Sequence, residues 1–213
     1  PPPQPLAGGI GGSGSQDEIA RAAVDGGWGR YILAWRTDDG DLGVLRDPSG
    51  AVDCLAWTRG GLRLPADQPP AEADGLMPSA LAIDWECLAE IAEQPGLASD
   101  QPPLKGLTGV APGEYAVVGR SISRHPVWRP ADLWRAGRVD PSPEALRSVV
   151  DAVVAAETAD HASLIGEISG GLDSAVVSSS LAASGRAGGA RFVNYYGDWA
   201  EGDRRSSISV ASV

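Results

Sequence analysis

The sequence predicts an α/β protein in two parts, a β-rich N-terminal domain over residues 1–138 and the first elements of a parallel-sheet domain over residues 139–213. Three observations carry this. Apolar and polar residues alternate between Trp28 and Trp57, with turn-forming residues at Asp38-Asp-Gly-Asp41 and Pro48-Ser-Gly50, as in an antiparallel meander. A short apolar run, Ser163–Ile168, is followed by a glycine turn, a helical stretch and a second strand-like run, Arg191–Tyr196, the order of a βαβ unit. Between them, Val139-Asp-Pro-Ser-Pro143 has the composition of a domain boundary.

Residues 1–14 are rich in Pro, Gly and Ser and are expected to be flexible. Ser15-Gln-Asp-Glu18 has the spacing of a capping box and predicts a short helix over Ile19–Val24. Tyr31, Leu33 and Trp35 alternate with Ile32, Ala34 and Arg36 in the first strand of the meander. Within its second turn, Arg46 and Asp47 are expected to serve as an ion pair or turn cap. Residues 60–80 predict a long irregular connection. Asp84 is placed to cap a helix through Ala92, with Trp85, Leu88 and Ile91 as a core-facing stripe, ended by Pro95-Gly96. Glu114–Val118 reads as a strand and Arg120–Arg138 as an Arg- and Trp-rich loop. Trp128 and Trp134 are candidates for the seam between domains, and His125 for a surface or packing role. Ser142-Pro143 predicts the start of a helix reaching Thr158, with Leu146, Val149, Val150, Val153 and Val154 on one face.

Composition narrows the function classes. The 17 Lys+Arg stand against 28 Asp+Glu, a net charge of −11, with no basic cluster beyond Arg204-Arg205, which disfavours nucleic acid as a partner. There is no apolar run of spanning length and no cleavable signal, so no membrane association and a cytoplasmic location are expected. The two cysteines, Cys54 and Cys87, sit in apolar runs; they form neither a disulfide framework nor a metal-ligand spacing, and read as buried apolar residues.

The segment with the most chemistry is Ser169-Gly-Gly-Leu-Asp-Ser174. A strand that ends in a glycine turn and opens a helix gathers unpaired backbone N–H groups and the positive end of the helix dipole, which suits phosphate. Gly170 and Gly171 allow close approach of main-chain amides, and Ser169 and Ser174 add hydroxyls. Asp173 fits beside phosphate when a divalent cation lies between them. The loop lacks the Lys and the spacing of a Walker-type P-loop. The plainer alternative is a strand-to-helix turn with Asp173 or Ser174 as N-cap.

The six-residue string resembles the pyrophosphate-binding loop of ATP pyrophosphatases of the asparagine synthetase family, whose pattern is Ser-Gly-Gly-x-Asp-Ser. Upstream, Arg46, Asp47 and Gly50 match that family's Arg-Asp-x-x-Gly element, with Asp53 in place of a proline, and Gly109-Val-Ala-Pro-Gly-Glu-Tyr115 resembles its Pro-Pro-Gly segment. The resemblance implies a degenerate glutaminase-like (Ntn-type) domain over 1–138, followed over 139–213 by the N-terminal part of an adenine-nucleotide α-hydrolase-like (PP-loop) synthetase domain. It implies ATP and Mg²⁺ as cofactors, nucleotide contacts from Ser169, Gly170, Gly171, Leu172, Asp173 and Ser174 with Ile168 and Asn194 near adenine, and Asp173 as the metal residue. No catalytic residue is assigned.

Family members of this kind activate a carboxylate as an acyl-adenylate. The N-terminal Cys of a working glutaminase is missing from the sequence, which points to members that use a substrate amine. The Arg-Asp-Pro-Ser-Gly wording and Asn194–Asp203 most resemble lasso-peptide macrolactam cyclases. The implied partners are a precursor peptide substrate and, alongside it, a leader-peptide-binding protein and a protease. A glutamine-hydrolysing asparagine synthetase, a β-lactam synthetase, and an inactive nucleotide-binding or scaffolding relic remain the alternatives. The family's second magnesium aspartate and acceptor pocket have no counterpart in the sequence, so a fragment or a joined chain is expected.

Overall fold

The computed structural model describes residues 4–5, 14–68, 71–94, 101–137 and 142–195, with backbone alone for 4–5 and 71–73. The Pro95-Gly96 helix stop, the linker at 139–141 and the 196–203 part of the Asn194–Asp203 segment lie outside the described residues. The chain is a mixed α/β protein in two compact units that divide between Arg138 and Val139.

The N-terminal unit begins with β1 (Gln4–Pro5), α1 (Gln16–Gly26) and β2 (Gly27–Trp28). The capping box is present in full: Ser15 Oγ accepts from Glu18 N, and the Glu18 carboxylate accepts from Ser15 N. The meander follows as β3 (Ile32–Arg36) and β4 (Leu42–Arg46), joined to β10 (Glu114–Val118) and β11 (Ile122–Pro126) in an antiparallel sheet of order β11-β10-β4-β3. Period-2 alternation gives this sheet two apolar faces. One packs Leu45 and Tyr115 on Ala20 and Ala23 of α1, whose small side chains let the helix approach closely. The other packs Val44, Ala116 and Val118 on Cys54, Ala56 and Val110. Ala56 belongs to β5 (Leu55–Arg59), in a second antiparallel sheet with β6 (Leu62–Ala66) and β9 (Thr108–Gly109).

Several connections are more ordered than expected. The 60–80 segment contains β6, reached by a turn at Gly60 and Gly61 with φ of 55° and 82°, and a 3₁₀ turn at Ala71–Leu76. Gly-Gly is a hairpin signal that the composition of the segment obscured. The Arg- and Trp-rich stretch holds β11 and α3 (Pro130–Ala136). The helix α2 (Trp85–Glu93), flanked by β7 (Ala82–Ile83) and β8 (Leu104–Lys105), forms with Asp84 as its cap, accepting from Cys87 N. Its stripe, however, is not core: no α2 residue is buried and Trp85 is 69% exposed. Helical spacing locates an apolar face without saying whether anything covers it.

The C-terminal unit is built on α4 (Pro143–Thr158), β12 (Leu164–Glu167), α5 (Leu172–Ala183) and β13 (Ala190–Val193). Ser142 caps α4 by accepting from Ala145 N at 3.1 Å, with Pro143 in the first turn. β12 and β13 pair in parallel, Leu164 with Ala190 through Glu167 with Val193, and α5 is the crossover between them. Gly166 faces Phe192 so closely that a Cβ there would lie 2.8 Å from the ring. α4 packs on α5, joined by Ser180 Oγ donating to Asp151 at 2.6 Å, yet of the predicted α4 face only Val154 is buried. No helix among the described residues is long and apolar enough to cross a membrane.

Candidate functional site

β12 delivers the chain to the Ser169–Ser174 loop through Ile168, which is buried and donates its N–H to Val193 O at 2.9 Å. Ser169 turns the chain outward, and Gly170 takes φ +86°, the left-handed region that costs any residue with a Cβ. Gly171 differs from expectation. Its φ of −82° and ψ of 170° are ordinary extended values, so only Gly170 uses glycine's freedom here. The helix begins at Leu172 with Gly171 as N-cap, which replaces the Asp173 or Ser174 cap of the plainer alternative.

That replacement has a chemical consequence. Helices α1, α2 and α4 each have a side-chain oxygen on a first-turn amide; among the described residues α3 has none, and neither has α5. Its first-turn donors at Leu172, Asp173 and Ser174 are left to an outside acceptor. The serines shape the loop: Ser169 Oγ accepts from Gly171 N at 3.3 Å, and Ser174 Oγ donates to Gly171 O at 3.2 Å. The two hydroxyls stand 3.3 Å apart. Leu172 and Asp173 are exposed beside them. Asn194, just past β13, donates its Nδ2 to Ile168 O, so the two flanking positions named from sequence are in contact. No short-range pattern relates residues that far apart; parallel pairing brings them together.

The loop therefore joins Ile168, Ser169, Gly170, Gly171, Leu172, Asp173, Ser174 and Asn194 at the carboxyl end of the parallel strands, where ligands bind in open α/β sheets. Among the described residues no group of three or more His, Cys, Asp or Glu could by itself hold a metal ion. Asp173 is the loop's one carboxylate, and it is exposed.

The upstream motifs meet in a joint with a structural character. The Arg46 guanidinium donates to the carbonyls of Val52, Val110 and Gly50 at 2.7, 3.1 and 2.8 Å and to Asp53 at 3.0 Å. Asp47 is fully buried; its carboxylate accepts from Ser49 N at 2.8 Å, Ser49 Oγ and Tyr31 N. Gly113 N donates to the carbonyls of Arg46 and Asp47, and a Cβ on Gly50 would lie 2.6 Å from Pro112. The Arg-Asp-Pro-Ser-Gly and Ala-Pro-Gly-Glu segments are thus two halves of one clasp. With its donors committed to the protein, Arg46 is a turn-holder, as expected for it.

No protein-family model and no curated protein matches the chain.

The cysteines complete the picture. Cys54 is buried, and burial pushes its thiol up to about 12. A thiol held neutral at physiological pH is a poor nucleophile. Cys87 is half-buried, with Sγ directed at Gln101 O at 3.8 Å. His125 is exposed, stacks on Tyr115 with ring centroids 4.9 Å apart and lies 3.2 Å from Ser123 Oγ, a packing role.

Proposed function

We propose that the protein binds ATP at the Ser169–Ser174 loop and uses it to form an amide bond through an acyl-adenylate. The observation that carries this reading is the uncapped α5 N-terminus following a left-handed Gly170 at the carboxyl end of a parallel strand. Free first-turn amides, the helix dipole and two loop hydroxyls form a cradle for the β- and γ-phosphates. Asp173 would hold the magnesium ion of Mg-ATP, which neutralises phosphate charge as pyrophosphate leaves.

The reaction we assign is macrolactam cyclisation of a ribosomal peptide of the lasso type. An Asp or Glu side-chain carboxylate attacks the α-phosphorus and pyrophosphate departs. The peptide's N-terminal amine then attacks the acyl carbon, loses a proton and displaces AMP, so the peptide loses one water in total. The protein's part is to hold amine against acyl group, where effective molarity lowers the barrier. A substrate amine as nitrogen donor is supported by Cys54, whose thiol burial holds neutral. The fold of this reading is a degenerate glutaminase-like unit ahead of a PP-loop unit, with cytoplasmic residence and a precursor peptide as partner.

The test is exchange of labelled pyrophosphate into ATP, run with Mg²⁺ and a linear peptide bearing a free N-terminal amine and an internal Asp or Glu. The complete protein is expected to exchange label and release a peptide lighter by one water, and Asp173→Ala in that complete protein to do neither while keeping its circular dichroism spectrum. Unchanged exchange in Asp173→Ala removes the metal role. Formation of glutamate from labelled glutamine would move the assignment to a glutamine-dependent synthetase.

A further inference from the structure

Asn194 stands outside the six-residue loop, yet its side chain reaches back across the sheet to the loop's root. Nδ2 donates to Ile168 O, and Ile168 N in turn donates to Val193 O at 2.9 Å. Ile168, the last residue before the loop, is therefore held through both its N–H and its C=O by the end of β13. Asn194 Oδ1 is buried and finds no hydrogen-bond partner among the described residues. An unpaired buried carbonyl is costly, so the carboxamide orientation follows the demand of Ile168 O and not its own satisfaction. The held carbonyl lies two residues before Gly170, whose left-handed geometry turns the chain towards the uncapped α5 amides. A carbonyl free to rotate at Ile168 would swing the peptide plane that starts this turn.

We infer that Asn194 is a positioning residue that sets the anion-binding geometry of the loop through Ile168, an inference that rests on the phosphate-binding reading of that loop. Asn194 touches no phosphate in this role. It makes the end of β13 a template for the loop, so that the amide cradle is formed before an anion arrives. Aspartate at this position keeps the shape of the side chain and loses the donor, which separates hydrogen bonding from packing.

The experiment is hydrogen exchange by mass spectrometry on the full chain, for wild type, Asn194→Asp and Asn194→Ala, with a parallel calorimetric titration of Mg²⁺-pyrophosphate. Both variants are expected to exchange amides of residues 166–175 about fivefold faster, the factor of one ordinary hydrogen bond. Residues 114–118 are expected to keep wild-type exchange, and pyrophosphate affinity to fall by a similar factor. Unchanged exchange at 166–175 overturns the inference, as does retention of the effect of wild type in Asn194→Asp alone. Exchange that rises equally throughout α4, β12 and β13 also overturns it, since Asn194 would then hold the unit and not the loop. If wild type binds no pyrophosphate while loop exchange still rises in the variants, the coupling stands and the phosphate reading of the loop fails.

Discussion

Gly170 and Gly171 are adjacent and identical in sequence, but the backbone asks different things of them. Gly170 at φ +86° needs a residue without Cβ, while Gly171 has extended angles and a Cβ there would meet only Ser169 Oγ at 3.4 Å. Gly170→Ala is expected to destabilise the C-terminal unit by about 1–2 kcal/mol, the cost of an L-residue in left-handed geometry, and Gly171→Ala by well under half of that. Urea titrations followed at 222 nm would check the difference; equal costs would contradict the assigned dihedrals. Cys54 gives a second test at this scale. Its thiol is raised from an ordinary 9.0 to about 12 by burial, so the folded state keeps a proton that the unfolded state releases. The associated stability is fully present below about 9 and is lost as pH rises towards about 12. Iodoacetamide at mildly alkaline pH is accordingly expected to modify half-buried Cys87 well before Cys54, as read by peptide mass mapping, and a Cys54→Ala variant to show a flatter decline of stability above pH 9.

At the scale of elements, the clasp between the β4–β5 turn and the segment before β10 is the N-terminal unit's main polar joint. Arg46→Ala would leave the carbonyls of Val52, Val110 and Gly50 without their donor, and Arg46→Lys supplies a point charge where a planar fork is needed. Arg46→Ala is expected to cost about 2–4 kcal/mol and Arg46→Lys nearly as much, from thermal unfolding monitored by Trp fluorescence, since several buried acceptors are orphaned together. A loss below about 0.5 kcal/mol for the alanine variant would make the joint ornamental. Asp53, largely exposed, adds little to it. Local signals made most of these elements legible in the sequence: the Ser15, Asp84 and Ser142 caps, the Asp38–Asp41 turn and the βαβ order all act within a few residues. What stayed hidden depends on distant partners. Nothing near Trp85 says that its face is uncovered, nothing near Asn194 points to Ile168, and nothing in the local string places the α5 cap at Gly171 ahead of Asp173 or Ser174.

For the whole molecule, the two units differ in how much they bury. The N-terminal unit has two clusters on opposite faces of one sheet, including Val44, Leu45, Val110 and Val118 at full burial. Among the described residues of the C-terminal unit, Val154, Ile168 and Leu181 are the buried apolar side chains, while Leu146, Val149, Ile165, Leu172 and Val177 stay exposed. Hydrophobic stabilisation scales with the apolar area removed from water, and a parallel sheet ordinarily has both faces covered. The C-terminal unit is therefore expected to unfold first. Two optical probes separate the units, because six of the seven Trp fall before residue 138 whereas the longest helices, α4 and α5, lie after it. In a urea series, ellipticity at 222 nm should lose a large share of its amplitude at a denaturant concentration where Trp fluorescence is still native. Mg-ATP should move that early transition to higher urea and leave the later one in place, because a ligand stabilises the unit that binds it. Coincident transitions by both probes would show that the units unfold as one, and an early transition indifferent to Mg-ATP at millimolar concentration would count against nucleotide binding at the Ser169–Ser174 loop.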